Sequence, residues 1–156
     1  MPHPEGIFEL RSSDMTLDMM LTDANYNHPG VDYRIVNMSP REYFRAADRG
    51  TRSPPGHLIT TAIRGMSVDD YANKMMRGIR FPVPHLHYWY GRFHQEPFLT
   101  FDGRHRALAA EKLDAAMIPV LVVYPIDPDE LESVKAIMTP EIRQFIGHNK
   151  AIHRPQ

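Results

Sequence analysis

The densest chemistry in this 156-residue chain lies in five consecutive residues, Asp102-Gly103-Arg104-His105-Arg106. A carboxylate, two guanidinium forks and an imidazole surround one glycine. Glycine lets the backbone approach a ligand closely. Guanidinium forks match phosphate and carboxylate oxygens two at a time. The next residues, Ala107-Leu108-Ala109-Ala110-Glu111, are rich in strong helix formers. A helix starting here offers unpaired N–H groups and the positive end of its dipole to the same place. The combination predicts an anion site at a strand–helix junction, with phosphate as the natural occupant. The alternative is a helix start whose arginines reach acids elsewhere in the fold. Asp102 has three readings: a ligand for a divalent metal beside the phosphates, a group that orients a substrate hydroxyl, or the cap of the following helix. His105 also has three: phosphate donor, base, or packed side chain.

Two other constellations are weaker. His85-x-His87 would point two imidazoles to one side of a strand, with His94 one hairpin away. That is a possible metal pair without a further fixed ligand. Tyr88, Trp89 and Tyr90 would either stack a base or fill the core.

The elements that must position these residues follow from local signals. Residues 33–38 read as a strand. Ser39-Pro40-Arg41-Glu42 is a helix start, with Ser as N-cap, Pro in the first turn and Glu completing a capping box. That helix is expected to run to Asp48 and end at Gly50. Ser67 opens another helix, with Tyr71, Met75 and Met76 as its buried stripe and Gly78 as its end. Residues 81–84 are extended, because residues before proline avoid the α region. Residues 86–90 and 98–101 form a hairpin. A helix over 104–113 follows, with Ala107, Ala110 and Leu113 inward. Residues 118–123 form a strand apolar on both faces. Asp127 caps a helix through Ile137, and Thr139 caps another to about Ile146. Met15, Met19 and Met20 suit a short helix, 27–30 a turn, 53–56 a loop and 58–64 a strand or short apolar run.

The net charge is −1, so the whole chain is not a nucleic-acid glue. The charge is unevenly spread: a basic middle, 34–106, lies between acidic flanks. Of the 18 basic residues only four are Lys, and the Arg bias leans towards an anionic ligand. Cys is absent, which removes disulfides, thiolate metal sites and any cysteine nucleophile. The longest apolar stretch, 117–123, is far short of the ~20 residues that span a bilayer. No basic segment followed by an apolar core opens the chain. The expected location is the cytoplasm, with no membrane partner.

The segment FLTFDGRHRALAAEKLDAAMIPVLVV, 98–123, resembles the ParB/sulfiredoxin-like superfamily, whose stand-alone members are often described as ParB-like nuclease domains. The family signature is a strand, Asp-Gly-x-His/Arg-Arg, an Ala-rich helix and an Ile-Pro-Val strand. Here Ile118-Pro119-Val120 supplies the last box. Upstream, Gly78 and Phe81-Pro82-Val83-Pro84-His85-Leu86 look like the family's second box, and Val36-Asn37-Met38-Ser39-Pro40 like its first. The resemblance covers about 33–125. It implies a compact α+β domain, with a small mixed β-sheet and surrounding helices. It also implies nucleotide binding, of ATP or CTP type, with phosphates held by Gly103, Arg104, His105 and Arg106. Mg2+ at Asp102 and catalytic roles for Asp102 and His105 accompany that reading. The family's kinase branch uses an early acidic residue to activate the acceptor, which makes Glu42 a candidate base beside its capping role.

Departures narrow the choice. Sulfiredoxin chemistry needs a cysteine. The residues after Val123 are expected to be too few for a full partition clamp. Asp114 replaces the glycine usual at the helix end. The leading expectation is NTP hydrolysis or phosphoryl transfer. The alternatives are a small DNase or DNA-binding factor of a plasmid or phage, and a non-enzymatic module for a protein partner; a homodimer stays open. The expected organisation is a peripheral extension (1–32), the ParB/sulfiredoxin-like domain (33–125), C-terminal helices packed on it (126–147) and a tail (148–156).

Overall fold

The structure, a computed structural model, describes residues 8–9, 31–50, 67–91 and 96–148. In chain order the elements are β1 (Phe8–Glu9), β2 (Val31–Met38), α1 (Pro40–Gly50), α2 (Val68–Met76), β3 (Phe81–Pro82), β4 (His85–Gly91), β5 (Glu96–Asp102), α3 (Arg104–Lys112), β6 (Ile118–Pro125), α4 (Pro128–Lys135) and α5 (Pro140–His148). The architecture is α+β, as expected. The possible helix near Met15, the 27–30 turn, the 53–56 loop and the 58–64 strand lie outside the described residues.

Every residue of β6 except Pro119 is buried. A strand apolar on both faces must lie inside a sheet. The sheet order is accordingly β2-β6-β4-β5, with β6 between two neighbours. β6 runs antiparallel to β2, from Val31↔Pro125 to Met38↔Ile118. It runs parallel to β4, from His85↔Leu121 to His87↔Val123. β4 and β5 form the expected hairpin, and its register pairs His85 with Asp102 and Trp89 with Phe98. Parallel neighbours need a crossover connection. Here β5 and α3 supply it, so the Asp102–Arg104 junction sits inside the link that builds the sheet. β1 and β3 add a separate two-residue parallel ladder. Phe8, from the stretch expected to be peripheral, is buried in the core. Its carbonyl accepts a hydrogen bond from Arg80 Nη2 at 2.9 Å.

Two helices, α1 and α2, pack on α3. Its Ala107, Ala109 and Ala110 are fully buried, as are Tyr43, Ala46 and Ala47 of α1. Small side chains on both helices permit close approach. Arg41 Nε lies 3.0 Å from Glu111 Oε2, and Arg104 Nη1 lies 3.0 Å from Asp48 Oδ1. These two pairs join opposite ends of α1 and α3, so the helices are antiparallel. α2 packs on the same α3, tied by an ion pair between Lys112 and Asp69. Its start is a complete capping box: Asp70 N–H donates to Ser67 Oγ at 3.2 Å, and Ser67 N–H donates to Asp70 Oδ2 at 2.8 Å. Those bonds hold the Asp70 carboxyl below its usual range. The expected buried stripe of α2 needs one correction. Ala72 and Met75 are buried, but Met76 is 56% exposed. The inward face is narrow because it meets the small side chains of α3, and Met76 lies beyond its edge.

α2 and α3 end in the same way. After α2, Gly78 N–H donates to the Met75 carbonyl and Ile79 N–H to that of Lys74, both at 3.0 Å. After α3, Asp114 N–H donates to the Glu111 carbonyl and Ala115 N–H to that of Ala110, also at 3.0 Å. Each is a Schellman closure around a left-handed residue. Gly78 takes φ +86° freely, whereas Asp114 takes φ +59° as a residue with a Cβ. Replacing Asp114 with Gly should therefore raise stability by about 0.5–1 kcal/mol, the left-handed strain less the extra entropy of glycine. The expected readout is a higher urea midpoint at unchanged slope.

Candidate functional site

β5 ends at Asp102 and the chain enters α3 through Gly103, whose φ is +107°. A Cβ at this position would lie 2.6 Å from Pro84 Cα and 2.7 Å from Pro84 Cβ. Both the dihedral and the space therefore require glycine. Pro84 is itself fixed to the sheet, since its carbonyl accepts from Leu121 N–H at 2.9 Å. The turn at Gly103 and the segment ending at Pro84 thus touch.

Gly103 is the N-cap of α3 and supplies no side-chain cap. Asp102 does not cap the helix, which corrects one of its three readings. Its carbonyl accepts from Tyr43 Oη at 2.8 Å. Its half-exposed carboxylate instead reaches Arg106, with Oδ2 3.4 Å from Nη2. The same nitrogen lies 3.3 Å from the Val83 carbonyl, to which it donates. Arg106 thus ties the start of α3 to the β3–β4 link.

Arg104 is placed differently. It is 9% exposed, with its guanidinium carbon 5.3 Å from the centroid of Phe44 and 5.9 Å from that of Phe101. Those distances suit cation–π contact. Its charge is countered by Asp48 at 3.0 Å. That contact is an ion pair without hydrogen-bond alignment, and neither Nε nor Nη1 of Arg104 makes a hydrogen bond among the described residues. His105 is buried, its ring tilted against Tyr71 at 6.3 Å between centroids. Tyr71 stands edge-on to Phe81 at 5.0 Å.

Tyr71, Phe101 and residues 102–106 line one pocket of about 150 Å³. All five residues of the motif are therefore brought together. Ligand sites for drug-sized molecules run from roughly 300 to 1,000 Å³. This volume suits a phosphate-sized group rather than a whole nucleotide.

Glu42 is not in this group. Its N–H donates to Ser39 Oγ at 3.1 Å, as capping requires. It follows Arg41, which pairs with the far end of α3, and so stands at the opposite end of the helix pair from Arg104. His85 and His87 share one face of β4, but His87 is buried and stacks on Trp89 at 3.6 Å. His94 lies outside the described residues. Among the described residues, no group of three or more His, Asp or Glu could hold a metal ion. Tyr88 is fully buried in the core. Trp89 lies parallel to Phe98 at 6.1 Å and donates from Nε1 to Thr100 Oγ1 at 2.9 Å.

Sequence reasoning missed Tyr43, Phe44, Asp48, Tyr71 and Phe101. The spacing Tyr43-Ala46-Ala47 marks one helix face, but nothing local says that it covers this turn. Among the described residues no helix is long and apolar enough to cross a membrane. Compared with protein-family models, curated proteins and solved structures, the chain matches none of them.

Burial pushes the Tyr43 hydroxyl well above the ordinary tyrosine range; Arg106 and Arg104 pull it down, and Asp102 pushes it up. Tyr88 is also raised by burial, and burial with Asp32 pushes Tyr124 up to about 12. The unfolded chain ionises these groups near pH ~10 while the folded chain keeps their protons. Stability should therefore fall as pH rises above about 10, which urea midpoints from pH 8 to 11.5 would follow. Tyr43→Phe should cost about 1 kcal/mol at pH 8 and make the alkaline fall shallower. Gly103→Ala should cost about 3 kcal/mol, combining a strained φ with overpacking against Pro84, as a urea melt at neutral pH would measure.

Proposed function

We propose that this chain is a nucleotide-binding domain of ParB/sulfiredoxin-like type, with nucleotide phosphate held at the turn 103–106. We further propose that it hydrolyses the nucleotide or transfers a phosphoryl group. The observation that carries the reading is Arg104, a residue that lines a phosphate-sized pocket and whose buried guanidinium has two nitrogens, Nε and Nη1, without a hydrogen bond among the described residues. An unsatisfied buried donor is costly, and an anion that accepts from it recovers that cost. The uncapped start of α3 opens on the same pocket, so main-chain dipoles and the side chain favour one charge in one place.

The chemistry follows from charge. Phosphoryl transfer needs positioning and neutralisation more than covalent help. Fixed guanidinium groups in a shielded site stabilise charge that builds on phosphate oxygens. Arg104 would contact those oxygens. Arg106, engaged with Asp102 and the Val83 carbonyl, would hold the turn and add to the field. Mg2+ is bound by few carboxylates plus phosphates and water. Asp102, half-exposed at the pocket, would hold such an ion once phosphate is present, and the ion would neutralise phosphate charge. His105 lines the same pocket and is the candidate to move a proton there.

Thermal shift against ATP, ADP, CTP and GTP, each with and without Mg2+, tests this. A ligand at 100 times its Kd should stabilise by about 2.7 kcal/mol. That is a rise of a few degrees for a chain of this size. The expected result is a shift with at least one nucleotide, lost in Arg104→Ala. No shift with any of them would contradict the reading.

A further inference from the structure

The pocket at the start of α3 has one wall that the motif does not supply. Of the described residues that line it, Tyr71 alone comes from outside 101–106. It belongs to α2, which packs on α3. Two other rings hold its own: His105, tilted at 6.3 Å between centroids, and Phe81, edge-on at 5.0 Å. Those contacts fix the ring without using the hydroxyl. Among the described residues Tyr71 Oη makes no hydrogen bond, and it is not an enclosed atom. A hydroxyl that water reaches carries no penalty in the free protein, and it can donate to a ligand that displaces the water.

The free oxygens of the ligand decide what a donor from a second element is worth. A terminal phosphate presents three acceptor oxygens, whereas an internal phosphodiester and a carboxylate each present two. The turn supplies donors from one side, through the uncapped start of α3 and the Arg104 side chain. Tyr71 reaches the same pocket from α2. We infer that Tyr71 is a specificity-determining residue: its hydroxyl donates to the third oxygen of a terminal phosphate, so the site takes phosphomonoesters and nucleotide ends in preference to the internal diesters of a nucleic-acid strand. The inference rests on the phosphate reading above. It adds to that reading a substrate class and a residue outside the sequence motif. The volume of about 150 Å³ agrees with it, since one phosphate group fits and the rest of the ligand stays outside.

Methyl phosphate and dimethyl phosphate test this, each titrated into the wild-type chain and into Tyr71→Phe and followed by NMR. The variant keeps the ring and removes only the hydroxyl. The two esters also differ in charge, which the comparison of the two proteins cancels. The wild type should bind methyl phosphate more tightly than the diester. Tyr71→Phe should bind methyl phosphate about tenfold more weakly, the loss of one hydrogen bond to a charged group, and bind the diester as the wild type does. Equal weakening of both esters, or weakening of neither, overturns the role of Tyr71 and leaves the phosphate reading standing. No binding of either ester by the wild type overturns both. The Cζ resonance of Tyr71 in the wild-type chain gives a readout that needs no substitution. Saturating methyl phosphate should move it and dimethyl phosphate should not; a resonance unmoved by bound methyl phosphate would overturn the inference.

Discussion

Gly103 and Pro84 approach so closely that no side chain fits between them, and much of the molecule is arranged around that contact. Pro84 is held by Leu121 of the central strand, and Gly103 joins β5 to α3. The contact therefore fixes where α3 begins relative to the sheet. α1 and α2 both pack on α3, so their placement follows. It also fixes Arg104 and Arg106 on opposite sides of α3, two residues and just over half a turn apart. Arg106 faces the β3–β4 link and binds its carbonyl, while Arg104 faces α1 and its two flanking rings.

The arginines explain more of this fold than their number suggested. The Arg bias leaned towards an anionic ligand. In the structure several arginines instead join elements through main-chain carbonyls. Arg34 donates to Phe145, Arg49 to Ala136, Arg80 to Phe8 and Arg106 to Val83. A guanidinium has donors in a fixed fork and keeps its charge, so it can satisfy carbonyls at element ends where no ladder or helix does. Composition alone cannot separate this use from ligand binding. Arg104 stands apart because its neighbours are two rings and one misaligned carboxylate. The alternative reading of the motif, arginines that reach acids within the fold, holds for both Arg104 and Arg106. For Arg106 the contact with its acid is also a hydrogen bond, whereas for Arg104 it is an ion pair alone.

What was legible in the sequence was local. The capping box at Ser67, the apolar run of β6, the hairpin and the Ala-rich helix depend on neighbouring residues, and the structure has them within two or three residues of expectation. The sheet order was not legible, because β6 inserts between β2 and β4 through long-range pairing. Nor were the partners of the motif. Tyr43 meets Asp102 across 59 residues of chain, and no periodicity records that. Met76 and Asp102 show the limit of single-residue rules. Each fits a helix pattern, but packing puts Met76 in solvent, and Gly103 rather than Asp102 is the N-cap.

The central claim is that Arg104 is an anion receptor rather than a purely structural cation. The most direct measurement is the 15Nε–Hε resonance of Arg104, assigned by comparison with Arg104→Lys, during titration with a nucleoside triphosphate and Mg2+. The account predicts that this resonance moves saturably while that of Arg106, held by Val83 and Asp102, moves much less. An Arg104 resonance that stays in place to millimolar nucleotide would contradict it.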